Sequence, residues 1–254
     1  MIAVLVTAAM AVGEAGPPPA HHHAPPPVSV PTTAPSDVAP TSVQPKTAGA
    51  LALSPSGDLY VADDKMNQIL ELERLPDGAF QVIAGTGTAG FSGDGGPATA
   101  AEIDRPQGMA VAPDGTMYVA DQGNNRIRAI SPTGIITTVV GDGTTSTWVT
   151  TGTSALHAAL FTPSDVALSP SGQLYIADSV QVLALEPDGS LANVLGIQGP
   201  YGGLTGVGGP AVDASADGAE SLAFNESGDL FVFGFATKSL LMITTKGVLT
   251  ETVQ

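Results

Sequence analysis

The sequence contains no cysteine, so it can form neither disulfide bonds nor a thiolate-based catalytic or metal site. Basic residues are also few: 8 Lys and Arg stand against 24 Asp and Glu, which gives a formal net charge of -16. A surface this acidic repels phosphate groups, and we therefore expect no binding to nucleic acid. Long apolar runs are missing as well, since the run at residues 2–12 is well short of the ~20 residues that span a bilayer.

The first 46 residues differ in kind from the rest. Residues 1–12 form a signal-like apolar segment with an A-x-A pattern at Ala9–Ala11, which indicates a secretory signal or the end of a membrane anchor. Lys46 is the first basic residue, so the usual basic start of a signal is missing, and a wrongly assigned start codon is the alternative explanation. Residues 13–46 hold ten of the 21 prolines and predict a Pro-rich disordered linker. We therefore expect an extracellular or cell-surface protein that touches a membrane only through an N-terminal anchor.

One pattern returns four times after the linker. The segments LALSPSGDLYVAD, MAVAPDGTMYVAD, VALSPSGQLYIAD and LAFNESGDLFVFG align without a gap, and their turn glycines are spaced by 58, 57 and 56 residues. Two short apolar segments flank a turn in each copy, which predicts a β-hairpin. A third and a fourth apolar segment follow, so each unit predicts a four-stranded antiparallel meander. A fixed period of this length is typical of repeat architectures.

The second strand of each unit is apolar at consecutive positions, as in LYVA and MYVA. A strand of that kind needs cover on both faces of its sheet. Sheets stacked around an axis provide such cover, and this favours an all-β fold, a β-propeller, over a two-sheet sandwich. We predict one propeller over residues 47–254, with four recognisable blades at about 48–85, 106–141, 163–196 and 220–254.

Two segments carry a family resemblance. GTGTAGFSGDGGPATAAEIDRPQG (85–108) and PQGMAVAPDGTMYVADQGNNRIRAISPTGIITTVVG (106–141) resemble NHL repeats, in the long-loop form of many bacterial surface proteins and of the teneurin NHL region. The resemblance implies a propeller, commonly of six blades, that serves as a rigid platform for binding. Four blades left unclosed would expose sheet edges, so we expect a small four-bladed ring, a part of a longer product, or a homo-oligomer that completes the ring.

Two patterns that suggest chemistry have structural explanations. The G-x-G-x-x-G at Gly85–Gly90 is not followed by a helix, so we interpret it as loop architecture and expect no dinucleotide or other cofactor. Asp63, Asp121 and Asp178 recur at one position in three blades. We interpret them as acids that accept backbone N–H bonds in the turn after their strand, and not as a cation-binding ring. We predict no metal site.

The function predicted from these observations is a non-catalytic binding or sensing platform for a protein or a cell-surface polymer. The alternative is a propeller enzyme of the lyase or lactonase kind with a metal in its central channel. Such an enzyme needs a general base and metal ligands, yet His157 is the only histidine after the linker, and we assign no catalytic residue. As candidate ligand-binding residues we take the loop aromatics Trp148 and Tyr201 together with Asp121 and Arg126.

Overall fold

The computed structural model describes residues 43–72, 79–196, 203–215, 218–234 and 238–253. The predicted signal and most of the predicted linker lie outside these residues. Within them, no helix is long and apolar enough to cross a membrane.

Sixteen strands form four separate antiparallel sheets, each with its strands in chain order. In the first sheet the strands are β1 (Ala50–Leu53), β2 (Leu59–Asp63), β3 (Gln68–Leu72) and β4 (Phe80–Ala84). In the second they are β5 (Pro106–Val111), β6 (Met117–Asp121), β7 (Arg126–Ile130) and β8 (Ile136–Val140). In the third they are β9 (Pro163–Leu168), β10 (Leu174–Asp178), β11 (Gln181–Leu185) and β12 (Leu191–Leu195). In the fourth they are β13 (Ser221–Phe224), β14 (Leu230–Gly234), β15 (Ser239–Ile243) and β16 (Leu249–Val253). The prediction of four-stranded meanders is confirmed, and we call the sheets blades 1 to 4.

Consecutive blades pack face to face, with the first strands β1, β5, β9 and β13 in contact in that order. Successive residues of each second strand face different neighbouring blades, which explains why both faces of these strands are apolar. Val119 of β6 packs with blade 1, while the next residue, Ala120, packs with blade 3. In the same way Ile176 packs with blade 2 and Ala177 with blade 4. Each fully buried Val, Leu or Ile side chain in these layers contributes about 1.5–3 kcal/mol, so the stacked faces are the main source of stability.

In the part of the chain that the structure describes, the four blades do not close into a ring. There, β1 and β13 do not pack against each other in the way that consecutive first strands do. The leading face of blade 1 and the trailing face of blade 4 are therefore the two end faces of the stack. We use "leading" for the face toward the preceding blade and "trailing" for the face toward the next.

The long connections between blades protect the outer strands. Residues near Gly95 pair with β8 of the next blade, where the Gly95 N–H donates to the Ile136 carbonyl at 2.8 Å and the Ile136 N–H donates to the Gly96 carbonyl at 3.0 Å. The second connection makes the same pair of bonds to Leu191, and the third makes them to Leu249. Each connection thus covers the edge of an outermost strand, which would otherwise be free to pair with another chain.

A short 3₁₀ helix anchors each connection, at Ala98–Ala100, Ala155–His157 and Ala211–Asp213. In every copy an alanine at the start and another three residues later are buried: Ala98 and Ala101, Ala155 and Ala158, Ala211 and Ala214. Residues three apart lie on the same side of a 3₁₀ helix, so the two methyl groups pack together into the space between blades.

The structure explains why glycine occupies the first position of the G-x-G-x-x-G pattern, at Gly85. It follows β4 with a φ of +90°, and a side chain there would overlap the carbonyl oxygen of Asn67. Only a 3₁₀ turn of three residues follows, at Ala98–Ala100, and the surrounding strands are antiparallel. The segment is a close approach of two loops, and it lacks the strand and helix geometry that holds a dinucleotide.

We expect Gly85→Ala to lower the free energy of unfolding by about 2–3 kcal/mol, because it adds an overlap to the strain of a positive φ. Gly95→Ala is the matched control: its φ is +80°, but no atom lies within 4 Å of the added carbon. The control should cost about 1 kcal/mol. Urea unfolding of both variants measures the difference, and equal losses would show that the close approach to Asn67 carries no energy.

Candidate functional site

The two ends of the blades carry different features. Hairpin turns such as Ser54–Asp58 and Ala112–Thr116 lie at one end, which we call the turn rim. Because the strands are antiparallel, the loops after the second strands lie at the opposite end, where each long connection also begins and ends. Between its ends, each connection runs along the outer strand of the next blade to the turn before that strand, at Gly134, Gly189 or Gly247. We call the surface formed by these loops and connections the connection rim; its described residues are 85–105, 141–162, 203–215 and 218–220, together with Asp63, Asp121 and Asp178.

The three recurrent acids join the connection rim to the blades. All three carboxylates are almost completely buried, at 0%, 0% and 2% exposure. Each accepts a hydrogen bond from a backbone N–H 17 residues upstream, on the segment that leads into its own blade. The donors are Lys46 to Asp63, Asp104 to Asp121 and Phe161 to Asp178, at 2.5, 2.8 and 2.8 Å. From the sequence we expected the donors to lie in the turn after the strand. The donor common to all three acids is instead a backbone N–H of the segment that leads into the blade.

The acids differ in how many donors they have. Asp63 also accepts bonds from the N–H groups of Thr47, Lys65 and Met66. Burial alone would raise the pKa of Asp63, but the bonds from Thr47, Met66 and Lys46 outweigh it and lower that pKa below its usual value. Here the turn after the strand supplies two of the donors, as the sequence interpretation expected. Asp63 is therefore a well-satisfied carboxylate.

Asp178 is the opposite case. Among the residues that the structure describes, only the Phe161 N–H donates to it, to both carboxylate oxygens at 2.8 and 3.0 Å. Strand β11 begins three residues after Asp178, whereas β3 begins five residues after Asp63, so the turn that supplies donors in blade 1 is shorter here. Burial raises the pKa of Asp178 to about 7, against a small opposing effect of the Phe161 N–H. This acid is protonated in part near neutral pH.

Asp121 holds a buried arginine. Arg128 is fully buried, and its Nη1 lies 3.2 Å from the Asp121 carboxylate while its Nη2 lies 2.7 Å from Asp94. The Ser92 carbonyl accepts a further bond from Nη2 at 3.1 Å. Burial raises the pKa of Asp121, although the Asp104 N–H, the Asn124 amide and Arg128 all favour the charged form. Asp121 and Arg128 therefore fasten the first connection to blade 2.

The same connection places an aromatic ring, that of Phe91, against the guanidinium groups of Arg126 and Arg128. Phe91 lies 3.7 Å from the guanidinium carbon of Arg126 and 4.8 Å from that of Arg128, and 41% of Phe91 is exposed. Arg126 also donates to the carbonyls of Asn124 and Asp142, at 2.9 and 2.7 Å. Stacking of a cation on a ring is worth about 0.5–2 kcal/mol, depending on exposure. Arg126 thus links the first connection to the second.

The candidate ligand-binding residues occupy different environments. Asp121 is buried and bonded within the protein, so it presents no surface, whereas Arg126 is half-buried at the rim. Trp148 is half-buried in the second connection, where its N–H and carbonyl both bond to the Ser146 hydroxyl. Tyr201 lies outside the described residues. Ligand binding by these four residues stays a prediction.

His157 and the acidic residues are the side chains in the described ranges that a metal site or a general base would use. His157 is exposed in the second 3₁₀ helix, where its ring nitrogen Nδ1 lies 3.3 Å from the Ser154 hydroxyl. Among the described residues, no group of three or more His, Asp or Glu is arranged to hold a metal ion. A shallow groove of about 420 Å³ lies between blades 3 and 4 at the turn rim, lined mainly by turn residues such as Ser171 and Glu226 and by the rings of Tyr175 and Phe224.

Comparison with known proteins identifies the repeats. The Teneurin NHL domain family matches residues 20–131. The chain carries NHL repeats of the teneurin type. Teneurin-3 of Mus musculus is 29% identical over 208 residues, which are 72% of this chain and 7% of teneurin-3. This NHL-repeat chain spans only 4% to 7% of the length of the teneurins that it matches.

Solved structures share the fold of these NHL repeats. An auxiliary nutrient binding protein from Bacteroides ovatus is 16% identical, with a TM-score of 0.56 over 82% of this chain and 47% of that chain. A streptogramin B lyase is 14% identical, with a TM-score of 0.53 over 84% of this chain and 56% of that chain. At these identities the likeness shows the fold alone, and a binding protein and an enzyme share it.

Sequence reasoning missed three residues of the rim: Phe91, Asp94 and Arg128. The sequence does distinguish Arg128, because the equivalent residues in the other repeats are leucines. These are Leu70, Leu183 and Leu241, and all three are fully buried. An arginine among leucines indicates a buried charge that needs a partner. Asp94 lies 34 residues upstream in a loop, and only the path of that loop brings it to Arg128.

Proposed function

We propose that the chain is a non-catalytic binding platform, displayed outside the cell, that uses its connection rim to hold a protein or a cell-surface polymer. The observation that supports it is the position of the exposed apolar side chains. Among the described residues, the large ones outside blade 1 all lie in the connections: Phe91, Leu156, Phe161, Val207 and Val212. Apolar side chains that stay exposed on ordered loops are typical of recognition surfaces.

The frame beneath these side chains is constant while the side chains vary. The buried alanine pairs and the bonds to the outer strands recur in all three connections. Thr99, Leu156 and Val212 occupy the same exposed position in the three 3₁₀ helices, and each has a different side chain. A rigid frame with variable tips reduces the entropy lost when a partner binds.

We expect the triple variant Trp148→Ala, Leu156→Ser, Val212→Ser to bind at least about tenfold more weakly to cells of the source organism, because it removes apolar contact area at the rim. The measurement is the binding of fluorescently labelled protein to intact cells, with and without protease treatment of the cells. Loss of binding after that treatment indicates a protein ligand, and retention indicates a polymer.

A double variant at the turn rim, Ser171→Ala with Glu226→Ser, is the control and should bind like the original chain. Equal binding by the rim variant and the original chain would contradict the proposal. So would hydrolysis of a lactone that a divalent metal restores after treatment with a chelator, since this is the behaviour expected of the enzyme alternative.

A further inference from the structure

The groove between blades 3 and 4 at the turn rim has two aromatic rings in its wall. Tyr175 of β10 and Phe224 of β13 meet across the junction edge to face, with their ring centroids 4.9 Å apart. Every second strand has an aromatic residue at the position of Tyr175. At the position of Phe224, however, the other first strands have aliphatic residues, namely Leu53, Val111 and Leu168. Among the three junctions that the structure describes, only this one has a ring on both sides at this level.

The two turns of blade 4 that border the groove carry polar side chains where other blades carry proline. Glu226 takes the position of Pro55, Pro113 and Pro170, and Thr245 takes the position of Pro132 and Pro187. The turn glycines Gly228 and Gly247 still close these turns with the N–H bond that recurs in the other described turns. The backbone of the two turns is therefore that of the repeat, and the change lies in the side chains that face the groove.

These polar side chains are open to solvent. Glu226, Ser227 and Thr245 are exposed, and none of them bonds through its side chain to another described residue. An ionised carboxylate only accepts hydrogen bonds, whereas a hydroxyl donates or accepts. The groove thus offers both kinds of hydrogen-bonding group beside its two rings.

The opposite wall of the groove is held rigidly. The Gln173 amide donates to the Leu185 carbonyl at 3.3 Å and to the Glu186 carboxylate at 3.2 Å. The Gln173 side-chain carbonyl accepts a bond from the Tyr175 hydroxyl at 3.3 Å. This chain of bonds fixes the ring of Tyr175, and a fixed wall reduces the entropy lost when a ligand binds.

We propose that this groove binds a neutral sugar, with the sugar ring against Tyr175 and Phe224 and its hydroxyls bonded to Glu226, Ser227 and Thr245. A hexose has an apolar face of C–H groups and a periphery of hydroxyls, which matches rings that are bordered by acceptors and hydroxyls. The groove of about 420 Å³ lies in the range of small-molecule sites, about 300–1,000 Å³.

The charge of the groove decides which class of sugar it takes. Glu226 lies in the groove wall, and Glu186 holds Gln173 just behind the other wall. Both carboxylates, and the net charge of -16, repel an acidic sugar. The ligand that fits is therefore neutral.

The inference does not rest on the proposed ligand-binding function, because no described residue of the connection rim lines the groove. A single sugar in an open groove binds with a dissociation constant on the order of millimolar, too weakly to hold the chain on a cell. The double variant Ser171→Ala with Glu226→Ser should therefore bind cells like the original chain but lose most of its affinity for the sugar. The two proposals can consequently fail independently.

NMR titration of the ¹⁵N-labelled full chain with glucose, galactose, mannose and N-acetylglucosamine tests the proposal. With each sugar raised to about 50 mM, roughly ten times the expected dissociation constant, at least one should give saturable shifts. The shifts should occur at the amides of Gln173, Tyr175 and Ser227. The amides of the 3₁₀ helix at Ala98–Ala100, on the connection rim, should not move.

Two variants that restore the residues of other blades identify the groove as the site. Phe224→Leu introduces the residue of blade 3 and should weaken sugar binding about fivefold, because one ring is lost. Glu226→Pro introduces the proline of the other three blades and should weaken it about tenfold, because a charged acceptor is lost. Asp114→Asn is the matched control: it removes an exposed carboxylate from the equivalent turn of blade 2 and should leave the affinity unchanged.

Three results would overturn the proposal. The first is the absence of saturable shifts with all four sugars. The second is sugar binding that Phe224→Leu and Glu226→Pro leave unchanged, which would place the sugar elsewhere. The third is saturation of the same amides by choline without a response to any sugar, which would assign the rings and Glu226 to an organic cation.

Discussion

Replacing Asp121 with alanine should lower the free energy of unfolding by about 3–5 kcal/mol, because it leaves Arg128 charged and buried with one carboxylate partner instead of two. Arg128 is 0% exposed, and its Nε already has no hydrogen-bond partner among the described atoms. The same change removes the acceptor for the Asp104 N–H and for the Asn124 amide. The first connection should consequently loosen from blade 2.

The other repeats indicate which double variant at Asp121 and Arg128 should be stable. Leucine stands at the position of Arg128 in the three other blades, so Arg128→Leu offers the surroundings a shape that this fold accepts. In blade 3 the same leucine position, Leu183, is combined with an acid, Asp178, whose pKa is raised. We expect Arg128→Leu combined with Asp121→Asn to recover most of the stability, since replacing a buried ion pair by apolar groups is often nearly neutral.

Urea unfolding of Asp121→Asn, Arg128→Leu and the double variant that combines them measures the coupling between the two residues. Asp114→Ala, an exposed turn carboxylate at the other end of the same blade, is the control and should change little. A loss for Asp121→Ala no larger than that of the control would show that the ion pair contributes nothing to the attachment of the connection. Proteolysis within residues 85–105 provides a second readout, because a loosened connection is cleaved faster.

The sequence was sufficient for the fold because the fold is repetitive. The spacing of Gly57, Gly115, Gly172 and Gly228 predicted four meanders, and the consecutive apolar residues of the second strands predicted cover on both faces. Val119 and Ala120 confirm that reasoning, since each faces a different neighbouring blade. These inferences succeed because periodicity and burial are local properties that the sequence records directly.

The rim could be predicted only in part. The recurrence of Asp63, Asp121 and Asp178 indicated a structural role, but the shared donor lies 17 residues upstream, and a turn interpretation does not find it. The contact of Phe91 with Arg126 depends on how a connection of about twenty residues is routed, which no local pattern encodes. Loop length sets Asp178 apart from Asp63 and Asp121, and the shorter turn after Asp178 is visible in the sequence once its consequence is known.

Two buried acids, Asp178 and Asp165, make the stability of the folded chain depend on pH. Burial raises the pKa of Asp178 to about 7 and that of Asp165 to about 6, from an ordinary value of 3.8. Asp165 packs against Gly108 of blade 2 and accepts bonds from the Ser221 hydroxyl and the Leu222 N–H of blade 4, which favour its charged form but do not offset burial. Between the unfolded and the folded pKa, the folded chain keeps a proton that the unfolded chain releases. The free energy of unfolding therefore falls as pH rises through this window, by up to about 1.4 kcal/mol per pH unit for each group.

We expect the original chain to be markedly more stable at pH 5 than at pH 8, and Asp178→Asn to remove a large part of that difference because asparagine stays neutral throughout. General repulsion among the 24 acidic residues gives a slope of the same sign, so a control of equal charge is required. Asp188→Asn provides it: Asp188 is exposed in a turn, where bonds from Ser190 lower its pKa. Urea unfolding at half-unit steps of pH should show a shallower slope between pH 4 and 7 for Asp178→Asn than for Asp188→Asn. Identical slopes would mean that Asp178 is ionised in the folded chain, and that its single N–H donor, from Phe161, is sufficient to hold the charge.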